Sequence, residues 1–275
     1  MNHRILPRFA VLVSLAVLAV AMLLPFALVL LNAFKTPAEY SANGPLAFPE
    51  GLSLEGLVDF WERVDFGGKL LNSILISTAV AVLAVIVSVC NAYALGIGRI
   101  RGRTWILAFF LIANTLPQEA MIYPWYTMAK EAGLYDSRLS VIIICTVLQC
   151  AFGTYLMSSV LGQFPREVIE AAHLDGAGRL RTLTHVILPM SRSTLTVMFV
   201  FFFIWTWNEF LIPLILLISN DNQTVPVALG KLQGERMMDA TMSSASALLG
   251  ILPALVFFVL FQRTLTRGVT VGAIK

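Results

Sequence analysis

Hydrophobic residues fall along this chain in six long blocks, at about 9–32, 70–97, 104–128, 138–161, 193–218 and 243–264, with polar stretches between them. Each block reaches the ~20 mostly apolar residues that a helix needs to cross about 30 Å of hydrocarbon. The pattern predicts an all-α polytopic membrane protein with six transmembrane helices. The third block is the weakest, because Pro117, Gln118, Glu119 and Pro124 interrupt it. The chain is expected to break or leave the membrane near Pro117. Two prolines free backbone carbonyls, and in lipid such groups must line a cavity or be satisfied by neighbours.

Composition agrees with the blocks. Of 275 residues, 58% are hydrophobic and only 13% charged, against about 25% charged in a soluble domain. Mean hydropathy is +0.81. The net charge of +3 becomes informative once it is divided between the two sides. Arg4 and Arg8, then Arg99, Arg101 and Arg103, then Arg166, Arg179, Arg181 and Arg192, and finally Arg263, Arg267 and Lys275 all fall on one side, twelve in total. Lys35, Arg63, Lys69, Lys130, Arg138, Lys231 and Arg236, seven in all, fall on the other. Acidic residues run the opposite way, three against twelve, with Glu209 left inside a block. The positive-inside rule then puts both termini and the 162–192 loop in the cytoplasm. No Lys/Arg run suggests nucleic acid. The first block is too long for the apolar core of a signal peptide and reads as a retained span. Cys90, Cys145 and Cys150 lie in spans without metal-ligand spacing, so they read as small packing residues. The chain divides into a first span with its outer loop (1–69), a core with the cytoplasmic loop (70–264) and a C-terminal tail (265–275).

The loop between the fourth and fifth blocks is long, charged and patterned. Pro165 suits the first turn of a helix. Val168, Ala171 and Ala172 share one face, with Arg166, Glu167, Glu170 and His173 on the others. Asp175-Gly176 reads as a stop, since glycine accepts the left-handed conformation that ends helices. A second short helix is expected from about Gly178, with Leu180, Leu183 and Ile187 on its apolar face and Pro189 closing it. The sequence predicts a helix–turn–helix lying flat at a membrane surface, with two small alanines that let another protein approach.

Glu170-Ala171-Ala172, then Asp175-Gly176-Ala177, then Ile187-Leu188-Pro189 at this spacing resemble the EAA loop of binding-protein-dependent ABC importer permeases. Further blocks resemble the sugar-importer branch of that family. They are Leu71-Asn72-Ser73, Ala92-Tyr93-Ala94-Leu95, Leu116-Pro117-Gln118-Glu119 with Tyr123-Pro124 and Gly133-Leu134, Trp205 through Leu211, and the tail from Arg267. Ser193 stands where many members have proline, and the final glycine of many members is absent. The resemblance covers nearly the whole chain and implies the type I ABC importer permease fold.

That resemblance also implies roles. Glu170, Ala171, Ala172, Asp175, Gly176, Ala177 and Pro189 would form the helix that couples to an ATPase. Trp205, Asn208, Glu209, Pro117 and Gln118 would line or gate a translocation path. An ionisable residue in a span is costly and faces protein or water; Glu209 reads either as a gate or as a structural carboxylate. Trp205, Asn208, Glu209, Ile212 and Pro213 share a helical face. The prolines of the third block read either as a bend at the mouth of the path or as a structural kink. The acidic segment 35–68, with a short helix over 54–64 carrying Phe60 and Trp61, reads either as a contact surface or as a solvated loop.

Implied partners are an ATPase subunit dimer, a second, non-identical permease subunit, an extracytoplasmic solute-binding protein and membrane lipid, with no nucleic acid. Cofactors are none in this chain; ATP and Mg would be bound by the partner ATPase. The implied location is a bacterial plasma (inner) membrane. No phosphate-binding Gly-x-x-x-x-Gly-Lys loop, His-Glu-x-x-His or Gly-x-Ser-x-Gly is present, so the chain is not expected to be an enzyme. The competing reading is a secondary transporter driven by an ion gradient, with Glu209 as its proton or cation site.

Overall fold

A computed structural model describes residues 5–98, 100–234 and 240–271. Among the described residues the regular structure is helical, with no strand. Four helices are long and apolar enough to cross a membrane: α1 over its Ala10–Ala33 portion (α1 spans Ile5–Ala33), α4 (Phe66–Gly96), α7 (Arg138–Leu161) and α14 (Ala240–Val271) over Ala240–Gln262. These coincide with the first, second, fourth and sixth blocks. The count reaches six only if each of two bent helix pairs is taken as one span.

The first bent pair is the third block. Helices α5 (Arg103–Asn114) and α6 (Gln118–Glu131) meet at 95° across Thr115–Pro117. Twelve residues of α5 rise only about 18 Å, short of the hydrocarbon thickness. Pro117 sits at the N-cap of α6 with extended backbone (φ −61°, ψ 129°), so the expected break is where the prolines place it.

The fifth block differs from its sequence reading. Helix α11 (Arg192–Trp207) is followed by a non-helical break at Asn208–Phe210 and then by α12 (Leu211–Leu216). Trp205, Asn208, Glu209, Ile212 and Pro213 therefore do not share one helical face. The cause is local. Asn208 ends α11 with right-handed backbone (φ −88°, ψ −1°), and its Nδ2 turns back to donate to Ile204 O (2.8 Å).

The chain groups into two compact units, residues 1–67 with 228–253 and residues 68–227 with 254–275. This divides the chain differently from a cut at residue 69, because 228–253 groups with the first span. In the first unit, α3 (Glu55–Arg63) carries buried Phe60 and exposed Trp61, both packed on Phe66. Helix α2 (Pro37–Asn43) precedes it, capped by Thr36 Oγ1 accepting from Glu39 N. Lys35 is 1% exposed. Its ammonium donates to Asn32 Oδ1 (3.0 Å), Gly44 O (3.0 Å) and Pro45 O (3.5 Å), tying the loop back to the end of α1.

The second unit holds the larger core. Helix α7 begins at Ser137, whose Oγ accepts from Leu139 N. Its buried face is rich in small and polar residues, including Ser140, Thr146, Gln149, Gly153, Thr154 and Ser158. Such residues let helices approach in lipid, where hydrophobic force between them is absent. Gly153 is the closest point: a Cβ there would collide with Ser88 Oγ of α4 and lie 2.7 Å from Phe202 Cζ of α11. Phe203 of α11 stacks on Phe257 of α14, with ring centroids 3.9 Å apart. At one end, Asp136 Oδ1 accepts from Ile218 N (2.9 Å) and Ser219 N (3.0 Å), and Ser219 Oγ donates to Oδ2. Asn222 Nδ2 donates to Asp136 O (2.7 Å). The Ser219 hydroxyl, seconded by the other donors, holds the Asp136 carboxyl below its ordinary pKa. Arg138 donates to Asn72 Oδ1 (2.8 Å), and Asn72 Nδ2 donates to Asp221 O (2.7 Å) and Gln223 O (3.0 Å).

Helix α14 runs through Val271, so 265–271 is helical. Residues 272–275, and with them Lys275 of the charge tally, lie outside the described residues, as do Arg4, Arg99 and Arg236.

Candidate functional site

Two arrangements in the second unit gather the residues that the sequence singles out. The first is the loop between α7 and α11. Helix α8 (Arg166–Leu174) starts after Pro165, as its sequence predicts. It ends in a Schellman cap. Gly176 N donates to His173 O (3.0 Å), Ala177 N donates to Ala172 O (2.9 Å), and Gly176 has φ +79°. These two bonds satisfy carbonyls that a helix end otherwise leaves open. A Cβ on Gly176 would meet nothing within 4 Å. The glycine is there for its backbone, not for space.

The two alanines separate. Ala171 is exposed, but Ala172 is buried at 9% exposure. Small size at 172 therefore serves the chain's own packing, and Ala171 alone is open to a visitor. Glu170, Asp175 and Gly176 are exposed as well, and Ala177 is half-buried. Leu174 and Leu180, at 89% and 73% exposed, are large apolar groups left mostly uncovered by the described residues.

The second short helix also departs from its expected face. Leu180 is exposed, whereas Thr182 and Ile187, five residues apart, are both fully buried. The reason is a π-helical turn at Leu183–Ile187, between α9 (Arg179–Thr182) and α10 (Leu188–Met190). Pro189 lacks the N–H for an ordinary i→i−4 bond and its ring crowds the carbonyl there; a wider turn just before it accommodates both. Pro189 itself is exposed. The chain does not stop at Pro189 but at Ser191, after which α11 leaves at 79°. Tyr93, near the end of α4, donates from its hydroxyl to Arg179 O (3.2 Å). That tie from span to loop was not anticipated; the tyrosine showed in the sequence only as part of a motif.

The second arrangement is the break in α11–α12. Glu209 is half-buried, and its Oε1 accepts from Leu211 N (3.0 Å) and Ile212 N (3.2 Å). The carboxylate thus caps α12, doing what a side-chain oxygen does at a helix N-terminus. Glu209, Trp205 and Gln118 line one small recess with Asn114 and Gln149. It leaves about 30 Å³ for the centres of water molecules, enough for one or two. Three of the five residues expected along a path therefore converge. Pro117 and Asn208 do not reach the recess; Pro117 shapes the neighbouring bend and Asn208 folds back on α11. Gln149 is the residue that sequence reasoning missed. It is 3% exposed at the middle of α7. Its Nε2 donates to Thr206 Oγ1 (2.7 Å), and its Oε1 has no hydrogen-bond partner among the described residues. A lone glutamine halfway along an apolar block was the available signal.

Residues 3–271 match the family described as binding-protein-dependent transport system inner membrane component. The chain belongs to this family. The permease is 29% identical to the inner membrane ABC transporter permease protein YcjP of Escherichia coli, over 100% of this chain and 99% of that one. It is 26% identical to the melibiose/raffinose/stachyose import permease protein MelC of Bacillus subtilis, over 94% of each. Its fold matches that in the crystal structure of a bacterial ABC transporter involved in the import of the acidic polysaccharide alginate. There the TM-score is 0.84 at 21% identity, over 96% of this chain and 98% of that one. Like these relatives, the permease is a membrane transport component and not an enzyme.

Proposed function

We propose that this permease forms half of the translocation path of an ATP-driven importer for a sugar or related solute. An extracytoplasmic binding protein delivers the solute, and a second, non-identical permease subunit supplies the other half of the path. An ATPase dimer, which binds ATP and Mg, takes the loop at 162–192. Both termini and that loop face the cytoplasm of a bacterial inner membrane. The observation that carries this reading is the α8 cap: a helix ended by a Schellman turn, with Glu170, Ala171 and Asp175 exposed and Leu174 uncovered beside them. An exposed leucine next to a rigid acidic turn suits a cleft in another protein. The names of the relatives supply the sugar class. Closure of the ATPase dimer would move α8, and the Tyr93 tie and the 79° joint would pass that motion to α4 and α11.

Against the ion-gradient reading stands the bonding of Glu209, whose Oε1 already serves two backbone N–H groups. The test has two parts. Tagged permease purified in mild detergent should bring down an ATPase and a second permease. In the reconstituted complex, Gly176→Asp should uncouple ATP hydrolysis from transport. Full transport with stimulated hydrolysis in that variant would remove the docking role. Transport by the permease alone would move the assignment to an ion gradient.

A further inference from the structure

A second cavity in the same unit has no part in the path. It lies where α4 and α7 end, α5 begins and α8 crosses, and it leaves about 380 Å³ for water centres. Arg103, Arg166 and His173 line it, with Glu170 as the one carboxylate. Leu95, Ile97, Leu161, Phe164 and Ile169 supply apolar wall. Arg103 is half-buried and donates to Ser158 O (3.3 Å). Arg166 makes no hydrogen bond or ion pair among the described residues. The cavity therefore carries two permanent cations, one of them without a partner, over an apolar floor. Its depth is fixed by the ends of two long spans, which is the level of the lipid headgroups. Arginine forks suit phosphate oxygens, and basic groups at this level attract anionic lipid.

We infer that this cavity binds the phosphate of an anionic phospholipid, with the apolar wall against the glycerol and upper acyl chain. A free phosphate shares the headgroup's chemistry but has no use for the half-buried apolar side chains Ile97, Phe164 and Ile169. The inference needs only the cavity and not the transport reading.

The full chain, with whatever partners co-purify, is placed in nanodiscs of phosphatidylglycerol mixed with phosphatidylcholine, and the retained lipid is identified by native mass spectrometry. Phosphatidylglycerol should be enriched, and Arg166→Gln should reduce that enrichment about fivefold, the effect of one interfacial cation. Arg103→Gln should act similarly but also loses the bond to Ser158, so Arg166→Gln is the cleaner variant. Arg166→Lys should keep part of the preference, and Arg181→Gln, outside the cavity, should change nothing. Equal retention of the two lipids, or a preference untouched by Arg166→Gln, would overturn the inference. Displacement of the lipid by millimolar inorganic phosphate would give the site to free phosphate instead. Preference in the isolated chain that vanishes in the ATPase-bound complex would give it to an acidic side chain of the ATPase.

Discussion

The loop helix α8 and the break between α11 and α12 solve one problem in opposite ways. Both must end a helix where the sequence needs something other than more helix. At α8 the answer is local and outside: Gly176 turns left-handed, two backbone N–H groups fold back, and the surrounding side chains stay in the open. At the break the answer is a half-buried side chain, Glu209, inside a recess assembled from α5, α6, α7 and α11. The first can be read from consecutive residues and tolerates change beside it. The second exists only because several helices are packed correctly, so it should fail whenever that packing fails.

The strongest way to break the comparison acts on the packing. Gly153→Val should force α4 and α11 away from α7, since its Cβ has no room. Overpacking of this kind costs about 1–3 kcal/mol. The variant should melt earlier in detergent and lose transport, while proteolytic protection of α8 changes little. Equal damage to both regions would show that the loop also depends on the core.

Next comes the cap itself. Glu209→Ala removes the acceptor of two N–H groups and should destabilise by about 0.5–2 kcal/mol. Glu209→Gln keeps an acceptor oxygen and should recover most of that in the same thermal melt. Transport lost in a stably folded Glu209→Gln would show that the charge, and not the cap, is what the recess needs.

These two expectations also mark what the sequence could reveal. The four long spans, the break near Pro117 and the stop at Gly176 follow from residues that are neighbours in the chain. The break at 208–210 was hidden, because Trp205 to Pro213 keeps a plausible helical face and the residue types do not announce that Glu209 will bond forward to the N–H groups of Leu211 and Ile212. Gln149 was hidden for a different reason: its partner Thr206 is 57 positions away. The division between Ala171 and Ala172 was concealed because periodicity puts both on one flank, whereas burial depends on which neighbour each one meets. The π turn moved Leu180 outward by widening the helix just where the periodicity had been extended through it.

On the loop side, Gly176→Ala should cost about 1 kcal/mol through its left-handed backbone alone, because the space around it is empty. Hydrogen exchange at Ala177 should speed up while the global melt hardly moves. A large drop in melting temperature would mean the cap supports more than its own turn.

The smallest effect expected is with acid. The carboxyl of Asp136 is held below its ordinary value, so its contribution is present above about pH 4 and is lost as pH falls through the folded-state value. Amides of Ile218 and Ser219 should then exchange faster, with α8 unaffected. Asp136→Asn should remove that pH dependence.

Lys35 and Lys69 are 1% and 0% exposed. Taking them out of the surface changes the electrical character of 35–69. Glu50, Glu55, Asp59, Glu62 and Asp65 remain exposed there, and Arg63 is the one exposed cation. The charged side chains exposed to a visitor there are five carboxylates and one guanidinium. The visitor's encounter rate should therefore depend on ionic strength, rising with salt for an acidic landing face and falling for a basic one.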